Sequence, residues 1–492
     1  TLILQLDPAE IARPMAAGRG MGEKGAAPEG AASSDREECG RPHQAAREAL
    51  PRTKRLTLPE RPSRRGPEAP WEDAMHGLMM DAPLLVSGVL RHAATVHGRR
   101  EAAAAGPDGR MVRRSYAALA PRARALADAL ARRGIGRGDR VATLAWNDLA
   151  HLEAYYAVSG MGAVTLTLNP RYAPEQLAWI LGHAEPKALI LDPGFAPLAR
   201  RLIADLSAPP RLILAHPGEG AEAAALDAEP FEALVEEGDP GFAWPADLDE
   251  REAAGLCYTS GTTGNPKGVL YSHRSTVLHA MMMTMPGGVG LSERETVLPV
   301  VPMFHVMAWG LPFAAPMAGA GLVLPGPRLD GASLWALMEA EGVTAAAGVP
   351  TIWLGLLEEI RRRGRPPSGF RRTMVGGSAP SPALIRAYEA AGVEFVHGWG
   401  MTEMSPVGTL GALPPERDGD DLDARVALKA KQGRPVFGVE LAIRDEDGRD
   451  LPHDGAARGR LLARGPWIAS GYYRSEVSPL TGDGWLDTGD VA

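Results

Sequence analysis

Short apolar runs alternate with helical patterns along most of this 492-residue chain. The segments 141–144, 163–166 and 188–191 are runs of Val, Ile, Leu, Ala and Thr, and helical patterns at 152–158 and 174–183 separate them. A strand, a helix and a second strand in succession favour parallel pairing, because the helix carries the chain back across the sheet. The alternation therefore predicts an α/β fold with mostly parallel sheets that helices cover.

The two ends of the chain depart from this pattern. Residues 1–74 are rich in Arg, Glu, Pro, Gly and Ala, contain Trp71 as their only Phe, Trp or Tyr, and lack sustained apolar periodicity. Such a segment buries too little apolar surface to offset its ordering entropy, so we predict a disordered leader. A gene-model extension that ends just before Met75 is one interpretation of it. Residues 431–492 predict β-hairpins, and we expect a small β-rich subdomain that is incomplete at its end.

Composition and charge disfavour several functional classes. The formal net charge is −8 and the pI is near 5.9, which argues against a dedicated nucleic-acid binder. Cys39 and Cys257 are the only cysteines, so the sequence has no disulfide framework and no cysteine metal cluster, and we expect a cytoplasmic setting. The uncharged stretch 306–327 is long enough to span a bilayer, but prolines and glycines interrupt it. We predict a buried strand–turn–strand there and no integral membrane segment.

The segment 258–268, Tyr-Thr-Ser-Gly-Thr-Thr-Gly-Asn-Pro-Lys-Gly, is a glycine- and hydroxyl-rich loop between two apolar runs. Glycines let the backbone approach a ligand closely, successive N–H groups can cradle an anion, and Lys267 adds a positive charge. The composition suits a polyphosphate, although a flexible surface turn explains it equally well at this stage. The P-loop motif does not fit, because Pro266 precedes the lysine and Gly268 follows it.

Four further clusters follow apolar runs, which is where α/β sheets place their ligands. They are 302–310, 376–380, 398–403 and 487–490. Each has a structural alternative when it is taken alone, since histidines are often structural, aromatic side chains usually fill cores and acidic residues favour helix N-termini. The segment 376–380 nearly matches the G-x-S-x-G elbow of hydrolases, but a proline replaces its last glycine.

Taken in order, these motifs resemble those of the adenylate-forming superfamily of acyl-CoA synthetases, adenylation domains and luciferases. Further matching positions are Phe304-His305, Gly377-Ser378-Ala379, Gln432-Gly433-Arg434-Pro435, Gly465-Pro466 and Gly471-Tyr472-Tyr473. The segment 304–310 is most similar to the fatty-acyl-CoA synthetase branch. The resemblance implies that residues 75–492 form the large N-terminal AMP-binding domain of the acyl-CoA synthetase/luciferase type. In that fold, two α/β subdomains with mostly parallel sheets (75–430) precede a small β-barrel-like subdomain (431–492).

The resemblance also implies roles for individual residues. The loop residues that would hold the ATP phosphates are Thr259, Ser260, Gly261, Thr262, Thr263, Gly264 and Lys267. The other nucleotide contacts would come from Gly377, Ser378, Ala379, Trp399, Gly400, Met401, Thr402 and Asp490, the last on the ribose hydroxyls. The implied catalytic group is Thr259, Lys267, His305, Thr402 and Glu403, with Glu403 as the Mg²⁺ ligand. The implied acyl pocket is Phe304, His305, Trp309 and Gly310, with Trp309 at the mouth of an acyl tunnel.

The reaction implied by the resemblance begins with ATP-dependent activation of a medium- or long-chain fatty acid to an acyl-adenylate, which releases pyrophosphate. A thioester then forms with CoA, and AMP leaves. The expected small molecules are thus a fatty acid, ATP, Mg²⁺ and CoA, without nucleic acid, and a homodimer stays an open alternative. Two other functions stay open as well: an acyl-AMP ligase or adenylation domain that loads a carrier protein, and a non-catalytic ATP-binding relative.

Two residues and one boundary depart from the family pattern. Arg460 stands where many relatives have glutamate, and Asp487 stands where arginine is common. The family's small C-terminal lid domain, which carries a lysine that assists adenylation, would follow Asp490 and is absent from this sequence. We therefore expect the 492-residue chain by itself to be weakly active or inactive.

Overall fold

The computed structural model describes residues 77–106, 110–217, 224–259 and 264–492. The predicted leader, 1–74, and the loop residues 260–263 lie outside these ranges. The elements below belong to the compact unit that includes residues 82–492.

Helices of ordinary right-handed form are distributed along this unit. Their bounds are α1 (Val86–Val96), α2 (Tyr116–Arg132), α3 (Leu149–Gly160), α4 (Pro174–Ala184), α5 (Ala196–Ile203), α6 (Phe231–Glu237), α7 (His273–Thr284), α8 (Leu311–Ala318), α9 (Gly331–Ala340), α10 (Pro350–Arg363), α11 (Pro382–Ala390) and α12 (Leu422–Lys429).

A first sheet of seven strands is formed by described residues between 140 and 272. Its strands are β3 (Arg140–Leu144), β4 (Val164–Thr167), β5 (Ala188–Leu191), β6 (Arg211–Leu214), β7 (Ala228–Pro230), β8 (Ala253–Tyr258) and β9 (Gly268–Ser272). The strand order is β7-β6-β5-β3-β4-β8-β9, and all neighbours are parallel except β8 and β9. Residues 259–267, which we call the glycine loop, connect these two antiparallel strands. The glycine loop is therefore the connection of a β-hairpin.

A second sheet of nine strands follows, again counted within the described ranges. Its strands are β1 (Glu101–Ala105), β2 (Met111–Ser115), β10 (Thr296–Pro299), β11 (Gly321–Leu324), β12 (Ala345–Gly348), β13 (Arg372–Val375), β14 (Glu394–Gly400), β15 (Val407–Leu410) and β16 (Arg434–Pro435). The order is β16-β15-β14-β13-β12-β10-β11-β1-β2, parallel from β14 to β1 and antiparallel at both ends. A separate antiparallel sheet contains β17 (Glu440–Arg444), β18 (Arg460–Arg464) and β19 (Leu486–Val491). The α/β fold class predicted from the sequence is confirmed.

The largest hydrophobic core joins the two big sheets. It contains side chains of both sheets and of helices α1, α2, α3, α7 and α8, so these helices lie between the sheets. Helix α3 is the clearest case, because all of its residues are buried and it has no polar face. A helix that is buried all round belongs to a core rather than to a surface. The carboxyl ends of β13 and β14 and the strands β8 and β9 are thereby held on a packed scaffold.

Local capping chemistry sets several helix starts. The Ser115 hydroxyl accepts from the N–H of Ala118 at 3.2 Å and begins α2, and Ser272 begins α7 through a capping box with Ser275. Ser381 caps α11 ahead of Pro382 in its first turn. These caps satisfy N–H groups that lack a partner within the helix, which makes the boundaries readable from sequence.

The prediction of a strand–turn–strand at 306–327 is wrong for its first half. One turn at Val306–Trp309 and helix α8 precede strand β11. Pro312 lies in the first turn of α8, where its missing N–H has no helical acceptor to lose. Pro316 leaves the Pro312 carbonyl without its usual helical donor, and the Tyr156 hydroxyl donates to that carbonyl at 2.8 Å. Among helices of the described ranges, none is both long and apolar enough to cross a membrane.

Candidate active site

A cavity of about 620 Å³ lies where β13 and β14 end and reaches the base of the glycine loop. Most of the sequence-predicted site residues within the described ranges line it. They are Thr259, Lys267, His305, Trp309, Gly377, Trp399, Gly400, Met401, Thr402 and Glu403. The fold thus brings together motifs that are more than 140 residues apart in the sequence.

Six predicted site residues in the described ranges do not line the cavity; Phe304, Gly310 and Asp490 are described below, and the other three are Ser378, Ala379 and Gly264. Ser378 and Ala379 are exposed beside Gly377, which has φ +80° in the left-handed region. Gly264 lies on the exposed part of the glycine loop with φ +93°. The loop residues 260–263 fall outside the described ranges.

The base of the glycine loop is closed by backbone contacts between its two ends. The N–H of Thr259 donates to the carbonyl of Lys267 at 2.9 Å, and the N–H of Lys267 donates to the Thr259 hydroxyl at 3.3 Å. These bonds extend the β8–β9 ladder up to the loop. Lys267 is therefore fixed at its backbone, while its exposed side chain extends along the cavity wall.

Thr402 and Glu403 form a 3-10 turn directly after β14. The Tyr271 hydroxyl on β9 donates to the Thr402 carbonyl at 2.7 Å, and the Ala469 N–H donates to the Glu403 carbonyl at 2.7 Å. The Glu403 side chain is only 5 % exposed, and its carboxylate accepts a hydrogen bond from the Tyr472 hydroxyl at 2.7 Å. Burial and that carboxylate raise the pKa of Tyr472 well above its ordinary value, so the phenol stays protonated and acts as the donor.

Trp399 lies on the cavity wall and is hydrogen bonded to Asp490. Its indole N–H donates to the Asp490 carboxylate at 2.9 Å. Asp490 itself is not a lining residue, but its neighbours 487–489 are. The next residue, Gly400, has to be glycine, because a Cβ there would lie 1.7 Å from the Pro406 carbonyl oxygen. The close backbone contact at Gly400 therefore constrains the position of the neighbouring Trp399 on the cavity wall.

His305 and Trp309 line the cavity, whereas Phe304 and Gly310 lie behind the wall. Burial lowers the pKa of His305, and the positive charge of Arg171 lowers it further. The imidazole is therefore neutral at neutral pH. Phe304 packs edge-on against Trp146, with ring centroids 5.8 Å apart.

The turn that presents Trp309 is left-handed. The φ angles of Val306, Met307, Ala308 and Trp309 are 45°, 47°, 50° and 56°, although none of these residues is glycine. Glycines elsewhere make room for it: a Cβ on Gly255 would lie 2.7 Å from the Met307 sulfur. A Cβ on Gly376 would likewise lie 3.2 Å from the Trp309 ring. A run of strained residues at a cavity wall is typical of functional sites.

The two departures from the family pattern contact each other. Arg460 on β18 donates to the Asp487 carboxylate on β19 at 2.9 Å. The family resemblance described above implies a glutamate and an arginine at these two positions, so this chain carries the expected charges in reverse order. The pair is partly exposed, so its contribution to stability is about 0.2–1 kcal/mol. The two substitutions thus compensate each other electrostatically.

Sequence reasoning missed two parts of the wall. The first is Tyr472, which it noted as a family position without assigning a role. The second is an apolar part of the lining, formed by Met283, Met374, Val396, Val407 and Leu410. Four of these five residues lie on strands β13, β14 and β15, so their apolar patterns indicated only a core.

Among the residues that the structure describes, one group of potential metal ligands lies outside this cavity. Asp148, Asp192 and His216 follow strands β3, β5 and β6, and their ligand atoms lie within 4.8 Å of one another. Asp148 caps α3 by accepting from the N–H of His151 and also accepts from the His216 ring at 2.8 Å. These bonds give Asp148 and His216 a structural role.

Comparison with protein families supports a common ancestry over most of the chain. The family model described as AMP-binding enzyme matches residues 90–473. The chain is 48% identical over 422 residues to a medium-chain-fatty-acid–CoA ligase of Ectopseudomonas oleovorans, covering 85% of this chain and 77% of the relative. It is 47% identical to a 3-methylmercaptopropionyl-CoA ligase of Ruegeria pomeroyi, covering 85% and 78%. It is 46% identical to a long-chain-fatty-acid–CoA ligase of Thermus thermophilus, covering 85% and 76%.

Solved structures share the fold. The inhibitor-bound N-terminal domain of FACL13 from Mycobacterium tuberculosis superposes with a TM-score of 0.71 at 26% identity, covering 83% of this chain and 96% of that one. The anthranilate CoA ligase AuaEII in complex with anthranoyl-AMP gives a TM-score of 0.73 at 24% identity, covering 84% and 76%. The second match carries information on the fold alone.

Proposed function

We infer the activity of this chain from the premise that it belongs to the AMP-binding enzyme family. It activates a carboxylic acid with ATP and transfers the acyl group to CoA, releasing pyrophosphate and then AMP. We propose that the acid is a medium- or long-chain fatty acid. Two of the relatives named above are fatty-acid–CoA ligases, and their identities of 46% and 48% extend over 85% of this chain.

The observation that carries the proposal is the cavity that unites a lysine-bearing glycine loop with a buried carboxylate and an apolar wall. One ligand with a polyphosphate end and a second ligand with an alkyl end fit such a lining. At the polar end, Lys267 and Thr402 hold phosphate oxygens, and Trp399 stacks against the adenine. Asp490 accepts from the ribose hydroxyls.

The residues present fit a magnesium ion at the polar end. Glu403 is buried on the cavity wall, and carboxylate oxygen is the ligand that Mg²⁺ prefers. A bound Mg²⁺ would neutralise charge on the phosphates. We propose Glu403 as the residue that holds it.

The chemistry needs positioning more than a protein nucleophile. A carboxylate oxygen of the acid attacks the α-phosphorus of ATP, the bond from that phosphorus to the bridging oxygen breaks, and pyrophosphate leaves. The CoA sulfur then attacks the acyl carbon, its proton passes to solvent, and AMP leaves with the electron pair of the broken acyl–oxygen bond. The cavity contributes by holding the reacting groups in line and by stabilising phosphoryl charge. The neutral imidazole of His305 lies on the wall as a hydrogen-bonding group for the acid.

The apolar wall is the part that selects the acid. Met283, Met374, Val396, Val407 and Leu410 form a surface without charge. Each methylene that a substrate buries there contributes about 0.8 kcal/mol, or roughly fourfold in affinity. Affinity should therefore rise with chain length until the alkyl chain reaches the end of the wall.

The setting of the reaction completes the proposal. We place the enzyme in the cytoplasm, where a free thiol such as the buried Cys257 persists in reduced form.

A homodimer is the assembly that we propose, and sedimentation velocity would test it. A monomer over the micromolar range would refute that part alone.

Acid-dependent ATP–pyrophosphate exchange by the protein tests the activity. We expect exchange with medium- and long-chain saturated fatty acids, and AMP release once CoA is added. Lys267→Ala and Glu403→Gln should each lower the exchange rate by about 10²–10³-fold, because each removes charge stabilisation at the phosphates. Lys187→Ala is the matched control, since Lys187 pairs with Asp139 outside the cavity. Exchange that is absent with every acid, or that survives both cavity substitutions, would contradict the proposal.

A further inference from the structure

Tyr472 lies on a segment that is tied to two parts of the candidate site. On one side of it, the Ala469 N–H donates to the Glu403 carbonyl at 2.7 Å. On the other side, the Tyr473 N–H donates to the Gly268 carbonyl at 2.8 Å, next to Lys267. The backbone of this segment is therefore attached both to the turn that carries Glu403 and to the strand that follows the glycine loop.

The Tyr472 side chain contacts the charged groups of both elements. Its hydroxyl donates to the Glu403 carboxylate at 2.7 Å. The Lys267 ammonium lies over its ring, 4.9 Å from the centroid. One phenol thus offers a hydrogen bond to the anion and a π face to the cation.

The two groups that Tyr472 contacts carry opposite charges, which attract each other at close range. Within the described ranges, Lys267 and Glu403 form no ion pair with each other, although both line one cavity. A direct ion pair would occupy the carboxylate oxygens and the ammonium protons that a nucleotide and its metal need. Tyr472 instead contacts both charged groups, and both groups still line the cavity.

We propose that Tyr472 is a positioning residue that keeps the Glu403 carboxylate and the Lys267 ammonium apart and directed into the cavity. The proposal rests on the function proposed above. It assigns the hydroxyl to the orientation of Glu403 and the ring to the location of Lys267. Outer partners of metal-binding carboxylates have this effect in general, and their loss costs about 10–100-fold in metal affinity or activity.

Titration calorimetry with ATP, in excess Mg²⁺ and separately in EDTA, tests the assignment. Tyr472→Phe removes the hydroxyl and keeps the ring, so it should weaken ATP binding in Mg²⁺ by about 10–100-fold. In EDTA the same change should cost less than about threefold, because Lys267 keeps its ring contact. Tyr472→Leu should weaken binding in both buffers. Melting temperatures establish that the variants are folded.

Two controls separate positioning from a general loss of structure. Tyr473→Phe alters the adjacent tyrosine, whose backbone N–H bond is retained and whose side chain contacts neither charged group, and it should bind ATP like the wild type. In a Glu403→Gln background, Tyr472→Phe should change ATP affinity in Mg²⁺ by less than about twofold, because the charged carboxylate that the hydroxyl orients is gone.

The outcomes also distinguish this inference from the proposed function. A wild-type protein that binds Mg-ATP, together with a Tyr472→Phe variant that binds it equally well, would overturn the inference alone. Equal losses in Mg²⁺ and EDTA for that variant would do the same. A folded wild-type protein that binds no ATP would overturn both.

Discussion

The Tyr156 hydroxyl supplies the hydrogen bond that Pro316 cannot, and its removal should be unusually costly. Tyr156 on α3 is fully buried and donates to the Pro312 carbonyl at 2.8 Å. The regular helical donor to that carbonyl would be the N–H of residue 316, which is proline. Tyr156→Phe therefore leaves a buried carbonyl unsatisfied, at a cost of about 1–3 kcal/mol.

Tyr388 provides a matched control for this substitution. It is also fully buried, and it donates to the Trp353 carbonyl at the same distance of 2.8 Å. Trp353 lies within helix α10, so its carbonyl keeps the helical N–H of Leu357 when the phenol is removed. Tyr388→Phe should cost only the net value of one hydrogen bond, about 1 kcal/mol.

Differential scanning calorimetry of the two variants measures the difference. In a unit of this size, 1 kcal/mol shifts the melting temperature by roughly 1–2 °C, since larger domains melt with larger entropies. We expect Tyr156→Phe to lower it by about 2–4 °C and Tyr388→Phe by about half as much. Equal decreases, or a larger decrease for Tyr388→Phe, would refute the claim that α8 depends on a hydroxyl from α3.

Three further predictions concern charges and donors near the cavity. Burial lowers the pKa of His279 to about 3, whereas a histidine in the unfolded chain has its ordinary pKa near 6.5. Between these two values the unfolded chain binds a proton at this residue and the folded chain does not. Stability should fall by up to about 1.4 kcal/mol per pH unit as the pH decreases below 6.5, and urea titrations at pH 6 and 5 should show a shallower fall for His279→Gln. Trp399→Phe keeps a ring but loses the donor to Asp490, so calorimetry should show ATP binding about fivefold weaker, and unchanged affinity would contradict this role. Arg460→Glu alone places like charges together and should lower the free energy of unfolding in urea by about 0.5–1 kcal/mol. The double variant Arg460→Glu with Asp487→Arg should recover most of this loss. No recovery would argue against the pairing.

The parts of the fold that sequence patterns predicted well are those decided by local chemistry. The predicted strand 188–191 matches β5 residue for residue, because a fully apolar run fits a buried parallel strand. The helices that begin after Ser115, Ser272 and Ser381 also start where local chemistry favours it, because a capping hydroxyl acts within three residues of its own position. The family resemblance, confirmed by the match over residues 90–473, then ordered the distant motifs into one site.

Interactions between distant residues were not accessible in the same way. Arg460 and Asp487 looked like two separate departures until adjacent strands placed their side chains 2.9 Å apart. Tyr472 gave no local signal of its contacts, since its partners Lys267 and Glu403 lie 205 and 69 residues earlier in the chain. A single sequence does not show such pairs, because the contact is produced by the packing of one element on another.

The left-handed turn before α8 shows the same limit in energetic terms. Four consecutive non-glycine residues with positive φ cost about 1–2 kcal/mol each, so local preference opposes Val306–Trp309 by roughly 4–8 kcal/mol. Three of the four side chains are buried, and Gly255 and Gly376 leave the space that Met307 and Trp309 occupy. Tertiary packing must therefore outweigh the local preference, and the missing Cβ atoms that permit it lie about 50 and 70 residues away. A methyl group at position 255 would lie 2.7 Å from the Met307 sulfur, so the Met307 side chain would have to shift, and the left-handed turn that presents Trp309 to the cavity would lose part of the packing that stabilises it.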